Sequence, residues 1–133
     1  MTKQEKTMNE KISVLVVDDN IDFCTTMSFT LRYKGYDVAT AADGQETVEM
    51  VKKQPFDIIF MDVKMPVMNG VEAFLEIKKI RPESRVMMIT AYAVEDLIEE
   101  AVKGGIYGVM FKPLDMEKVM AAVEKAGRPF VSK

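Results

Sequence analysis

The feature that most constrains this chain is an alternation between short apolar runs and longer amphipathic segments. Ile12 to Val17 is an apolar run rich in β-branched residues, which is typical of a strand buried on both faces. In the segment that follows, Phe23, Met27 and Leu31 recur every four residues and would form one face of a helix. The pattern predicts five strands, at Ile12–Val17, Asp37–Ala41, Asp57–Met61, Val86–Ile89 and Tyr107–Phe111. It predicts five helices between and after them, at Asn20–Tyr33, Glu46–Lys53, Val71–Ile80, Val94–Lys103 and Asp115–Ala126.

Such an alternation indicates an α/β fold. Parallel strands joined by right-handed crossovers give a doubly wound sheet with helices on both faces. In sheets of this type ligands bind at the carboxyl ends of the strands, where the strand order reverses. We predict one domain over residues 11–126, with a polar tail at residues 1–10 and a short tail at residues 127–133.

Composition narrows the possible functions. The 133 residues are 48% hydrophobic, which is enough for one core, and the formal net charge of -3 gives no general attraction to nucleic acid or to an anionic membrane. No apolar run is long enough for a membrane span, and the single cysteine, Cys24, cannot form an internal disulfide. We therefore expect a cytoplasmic protein with no direct binding to nucleic acid or membrane.

The absence of histidine is the most informative count. Zinc hydrolases, serine-type triads and histidine phosphocarriers normally use an imidazole, so each of these classes is disfavoured. Carboxylates are therefore the expected reactive groups of any functional site.

Acidic residues stand where strands end. Asp18 and Asp19 close the first strand and Asp62 follows the third, so the three carboxylates are expected to meet at one edge of the sheet. Carboxylates packed together repel one another, and a hard divalent cation such as Mg²⁺, which prefers oxygen ligands, would relieve that repulsion. Thr90 and Lys112 stand at the ends of the fourth and fifth strands, where they could contact a phosphoryl group.

Each of these residues also has an ordinary structural explanation. An acidic pair after a strand is often a helix N-cap, and a lysine at a strand end is usually solvated. Five such residues at the ends of four strands of one sheet favour a functional site.

Four motifs together resemble the CheY-like receiver domains of two-component response regulators. They are Val16–Asn20, Met61–Gly70, Ile89–Tyr92 and Phe111–Leu114. The resemblance covers about Lys11 to Ala126 and implies a flavodoxin-like sheet with the strand order 2-1-3-4-5.

The resemblance also implies roles for the residues. Asp62 would accept a phosphoryl group from a phosphohistidine of a sensor kinase or a phosphotransfer protein, and the product would signal to a downstream protein. Asp19 and Asp62 would ligate Mg²⁺ with the backbone carbonyl of Lys64, and Asp18 would act mainly through water. Thr90 and Lys112 would each bind a phosphoryl oxygen, and the peptide bond between Lys112 and Pro113 would be cis. Such a domain promotes its own phosphorylation and dephosphorylation but is not otherwise an enzyme.

One position departs from the family. Many receivers carry an aromatic residue on the fifth strand that turns inward on activation, and Val109 occupies that position here. We expect Val109 to be a packing residue. Lys64 and Tyr92 occupy positions that flank the path of the hydrolytic water in the family, so we expect slow self-dephosphorylation.

Two other functions fit the same fold class. A Mg²⁺-dependent aspartyl phosphatase would share the nucleophile and the metal but usually has a cap domain or insert that encloses the substrate. A flavodoxin-like electron carrier would need a hydroxyl-rich or glycine-rich phosphate loop after the first strand, and Asp18, Asp19 and Asn20 stand there instead.

Overall fold

The structure, a computed structural model, describes residues 11–91 and 95–127. Strands β1 to β5 span Ser13–Val17, Asp37–Ala41, Ile58–Asp62, Val86–Thr90 and Gly108–Phe111. Helices α1 to α5 span Ile21–Tyr33, Gly44–Lys53, Gly70–Ile80, Glu95–Lys103 and Met116–Gly127. Among the described residues, no helix has the length and apolar character needed to cross a bilayer.

The five strands form one parallel sheet in the order β2-β1-β3-β4-β5. The predicted doubly wound architecture is confirmed. Because β2 lies on one side of β1 and β3 on the other, the strand order reverses at β1, and a crevice opens there at the carboxyl ends of β1 and β3.

Helices cover both faces of the sheet. Successive side chains of a strand point to opposite faces, and in β1 Val14 and Val16 pack with buried residues of α1 and α5. Leu15 and Val17 of the same strand pack on the other side with buried residues of α2, α3 and α4. Both hydrophobic cores therefore pack against β1 and β3 and hold the carboxyl ends of these strands in place.

The helix N-termini are capped by short polar side chains. Asn20 Oδ1 accepts a hydrogen bond from the Phe23 N–H at 3.1 Å, and Asp43 Oδ1 accepts one from the Glu46 N–H at 2.7 Å. The prediction that the second helix begins at Glu46 was wrong by two residues, because Asp43 is its N-cap and Gly44 its first residue.

Strand β3 also differs from its predicted bounds. It begins at Ile58 and includes Asp62, whereas Asp57 precedes it and accepts hydrogen bonds from the Ser13 N–H at 2.8 Å and the Ser13 hydroxyl at 3.1 Å. The remaining described boundaries lie within one residue of the prediction. Val94, the predicted first residue of the fourth helix, lies outside the described residues.

Strand β2 is an edge of the sheet, and two side chains bind its outer backbone groups. Asp37 and Ala41 use their backbone groups to pair toward β1, so residues 38, 40 and 42 direct theirs to the open side. Arg32 Nη2 donates to the Val38 carbonyl at 2.8 Å, and Glu46 Oε1 accepts from the Ala42 N–H at 2.8 Å.

Candidate functional site

Three carboxylates meet at the carboxyl edge of the sheet. Asp18 follows β1 directly and Asp62 is the last residue of β3. One carboxylate oxygen from each of Asp18, Asp19 and Asp62 lies within 4.8 Å of the other two. Asp18 is 2% exposed and Asp62 8% exposed, while Asp19 faces solvent. The predicted convergence of these side chains is confirmed.

Asp18 is held from several sides. Its Oδ1 accepts a hydrogen bond from the Asn20 N–H at 2.9 Å, and its Oδ2 lies 2.5 Å from Lys112 Nζ. Its backbone carbonyl accepts a hydrogen bond from Cys24 Sγ at 3.3 Å. Burial and the nearby Asp18 charge raise the pKa of the Cys24 thiol, so Cys24 remains a protonated donor and a structural residue.

Lys112 reaches the cluster from the end of β5. Its backbone N–H donates to the Thr90 carbonyl at 2.8 Å, which fixes its place beside β4. Its Nζ also lies 4.3 Å from the centroid of the Phe23 ring, a favourable cation–π distance. The bond between Lys112 and Pro113 is cis, as the resemblance implied. The ammonium group is thus placed by an ion pair and an aromatic ring.

The environment of Asp62 disfavours its charged form. Burial raises its pKa from 3.8 to about 6, and the negative charges of Asp18 and Asp19 act in the same direction. The Lys112 charge and the Val63 N–H lower that pKa but do not offset the burial. A cation bound among the three carboxylates would remove the cause of this repulsion.

Thr90 and Lys64 lie on neighbouring segments. Asp62 pairs in register with Ile89 on β4, so Thr90 stands one residue beyond that pairing and is fully buried at the end of its strand. Lys64 is exposed two residues after Asp62. Tyr92 lies outside the described residues.

The loop after Asp62 depends on a glycine. A Cβ on Gly70 would lie 2.2 Å from the Asp62 carbonyl oxygen, so only glycine allows α3 to start against the end of β3. The Gly70 N–H donates to the Val63 carbonyl at 2.8 Å. At the same helix start, Asn69 and Glu72 form a reciprocal capping box. These contacts fix the backbone that follows Asp62.

Val67, in the same loop, has a φ of 70° and is 96% exposed. This conformation is unfavourable for a β-branched residue. The loop therefore stores strain within a few residues of the carboxylate cluster.

Val109 is half-buried on β5 and packs against the core under α2, α3 and α4. Tyr107, just before the strand, is 37% exposed. Residue 109 therefore packs against the core in this structure, and its passive role in signalling stays a prediction.

Sequence reasoning identified the carboxylates and the lysine but missed the roles of two residues. Phe23 was predicted only as part of the inner face of α1, and Gly70 only as part of a motif. A signal existed for Phe23, since it lies one helical turn after the acidic pair. The steric demand at Gly70 depends on how closely α3 approaches β3, which the sequence does not show.

Comparison with known proteins identifies the family. A family model described as the response regulator receiver domain matches residues 14–124. The transcriptional regulatory protein ZraR of Escherichia coli (strain K12) is 40% identical over 118 residues, which are 89% of this chain but only 27% of ZraR. The chemotaxis protein CheY of Thermotoga maritima is 34% identical and is matched over 97% of its length and 86% of this chain.

A solved structure agrees. The receiver domain of the sensor histidine kinase PA1611 from Pseudomonas aeruginosa PAO1, which has a magnesium ion coordinated in its active site cleft, aligns with a TM-score of 0.79 at 27% identity over 87% of this chain and 97% of that one. The chain belongs to the response regulator receiver domain family, the CheY-like signalling domains of two-component systems.

Proposed function

We propose that this chain is a phosphorylation-activated receiver that accepts a phosphoryl group on Asp62 from a phosphohistidine of a sensor kinase or a phosphotransfer protein. The observation that carries the proposal is the convergence of three carboxylates within 4.8 Å of one another, two of them buried, with a lysine ammonium paired to Asp18 at the switch point of the sheet. A cluster of this kind destabilises the folded state, and a phosphoryl-transfer function explains why the chain would carry it.

The residues present fit a Mg²⁺ ion. Asp18, Asp19 and Asp62 offer only oxygen ligands. Burial and then the neighbouring carboxylates raise the Asp62 pKa, and a divalent cation would offset both because it stabilises the charged carboxylate. We propose that Asp19, Asp62 and the Lys64 carbonyl hold the ion and that Asp18 binds it through water. When bound, the ion would neutralise charge on the phosphoryl oxygens and orient them for transfer.

The protein side chains would supply the rest of the reaction. A carboxylate oxygen of Asp62 attacks the phosphorus, the new O–P bond forms, and the N–P bond breaks with its electron pair returning to the donor imidazole. Lys112, already placed by Asp18 and Phe23, would turn its ammonium group toward one phosphoryl oxygen. The Thr90 hydroxyl would bind a second oxygen from the end of β4.

The signal would then leave through the Thr90 side of the site. Because a ligand shifts a conformational equilibrium only by binding the two states differently, the contact between Thr90 and the phosphoryl group is the step that couples phosphorylation to shape. We propose that α4 and the segment before it change, while Val109 stays a packing residue. A downstream protein would recognise the changed surface.

Phosphorylation by a small acyl phosphate tests the proposal directly. With Mg²⁺ present, intact-mass spectrometry should detect one added phosphoryl group on the wild type and none on Asp62→Asn. Asp37→Asn is the matched control, since it makes the same chemical change at an exposed strand residue. Labelling of Asp62→Asn at the wild-type level, or labelling that EDTA does not reduce, would refute the proposal.

A further inference from the structure

Helix α1 has an apolar face that neither core uses. Ile21, Thr25, Phe29 and Tyr33 are four residues apart and therefore share one side of the helix; we call them the outer α1 face. Ile21 is 75% exposed, Phe29 72% and Tyr33 82%. Large apolar side chains grouped in this way indicate a contact surface.

A groove of about 660 Å³ adjoins this face. The four residues of the outer α1 face line one side of it, and residues 40–42 at the edge of the sheet line the other. The volume of the groove is enough for an aromatic side chain from a second molecule.

The size of the apolar face indicates a weak association. At roughly 200 Å² for each complete side chain, Ile21, Phe29 and Tyr33 together expose about 450 Å². A stable interface buries about 800 Å² on each partner, so this face supports only a transient complex even when its polar margin is added.

The charges on α1 indicate the occupant. Asp22 lies in the first turn of the helix, whereas Arg32 lies in the last turn and Lys34 is the C-cap. Two copies of α1 in antiparallel contact would bring the acidic end of each helix to the basic end of the other. A parallel arrangement would bring like charges together.

We propose that the outer α1 face is a self-association surface on which two copies of this chain pair around a two-fold axis with antiparallel α1 helices. Tyr33 of each copy enters the groove of the other. The pairing is isologous, since each copy contributes the same residues. It needs no phosphoryl group and is independent of the proposed function.

Sedimentation velocity on the full chain tests this proposal. Over a series from about 10 µM to about 1 mM, the wild type should shift from monomer toward dimer. Phe29→Ser and Tyr33→Ser should each weaken the association at least about tenfold, as expected for aromatic anchors of an interface. Phe111→Ser is the matched control, because it removes an exposed aromatic side chain at the opposite edge of the sheet.

Added salt should also weaken the dimer, because it screens the contacts between charged ends. Both Phe29 and Tyr33 are exposed, so the variants should fold, and thermal unfolding followed by circular dichroism verifies this. A wild type that stays monomeric throughout the series, or a dimer that the two α1 variants leave unchanged, would overturn the proposal. A dimer lost equally in Phe111→Ser would do the same.

Discussion

Replacement of Asp62 by asparagine should stabilise the metal-free protein at neutral pH. Burial and the neighbouring carboxylates raise the Asp62 pKa from 3.8 to about 6, so the charged carboxylate destabilises the folded state relative to the unfolded chain. That difference in pKa corresponds to roughly 3 kcal/mol above pH 6. Because the asparagine amide also needs hydrogen-bond partners, we expect a measured gain between about 1 and 3 kcal/mol.

The gain should depend on pH in a defined direction. A group whose pKa is raised in the folded state binds its proton more tightly there than in the unfolded chain. For Asp62, the stabilisation from this proton binding is complete below pH 3.8 and is lost as the pH rises to about 6. The difference between Asp62→Asn and the wild type should therefore be small at pH 4, increase up to pH 6, and stay constant above it.

Urea unfolding at a series of pH values, with and without Mg²⁺, measures this directly. Mg²⁺ should stabilise the wild type more than Asp62→Asn, because the variant has lost one carboxylate ligand. Asp37→Asn should change the free energy of unfolding by less than about 0.5 kcal/mol. A gain that does not vary between pH 4 and pH 7, or a loss of stability in Asp62→Asn, would refute the electrostatic argument.

Four further predictions concern the loops and β5. Gly70→Ala should cost roughly 3 kcal/mol and abolish labelling by acyl phosphate, because its Cβ would overlap the Asp62 carbonyl; unchanged stability in urea would contradict this. Val67→Gly should stabilise the fold by about 1 kcal/mol by relieving an unfavourable φ, which thermal unfolding can test. Tyr92→Ala should speed loss of the phosphoryl group, and a decay rate equal to that of the wild type would show that Tyr92 does not hinder the hydrolytic water. In Val109→Ala, the NMR shifts of α4 on binding beryllofluoride should persist. Loss of those shifts would show that Val109 takes part in the switch.

The sheet could be predicted from sequence because its signal is local. Each strand is a short apolar run closed by polar residues, and the β/α alternation leaves few possible topologies. Boundaries were harder to predict where a side chain competes with the backbone. Asp43 and Asp57 look alike as polar residues in a connection, yet one caps α2 and the other binds Ser13 across the sheet.

The sequence predicted the convergence of residues whose chemistry is unusual at a strand end, but it did not predict the contacts of residues that act by shape. Asp18, Asp62 and Lys112 are charged residues at the ends of buried strands, where a charge is unfavourable unless it has a partner or a function. The ring of Phe23 beneath Lys112 and the missing side chain of Gly70 act through distances set by the packed structure. The sequence pattern does not predict those distances.

The hydrogen bonds along the outer side of β2 bear on how the protein behaves in a crowded solution. An open strand edge is a template on which further chains can add and grow into fibrils. Arg32 binds the Val38 carbonyl near one end of that edge, and Glu46 binds the Ala42 N–H at the other. An added strand would have to break both bonds before it could form a continuous ladder. These two side chains therefore oppose fibril growth at β2, and their loss would show as a shorter lag before aggregation rather than as a lower melting temperature alone.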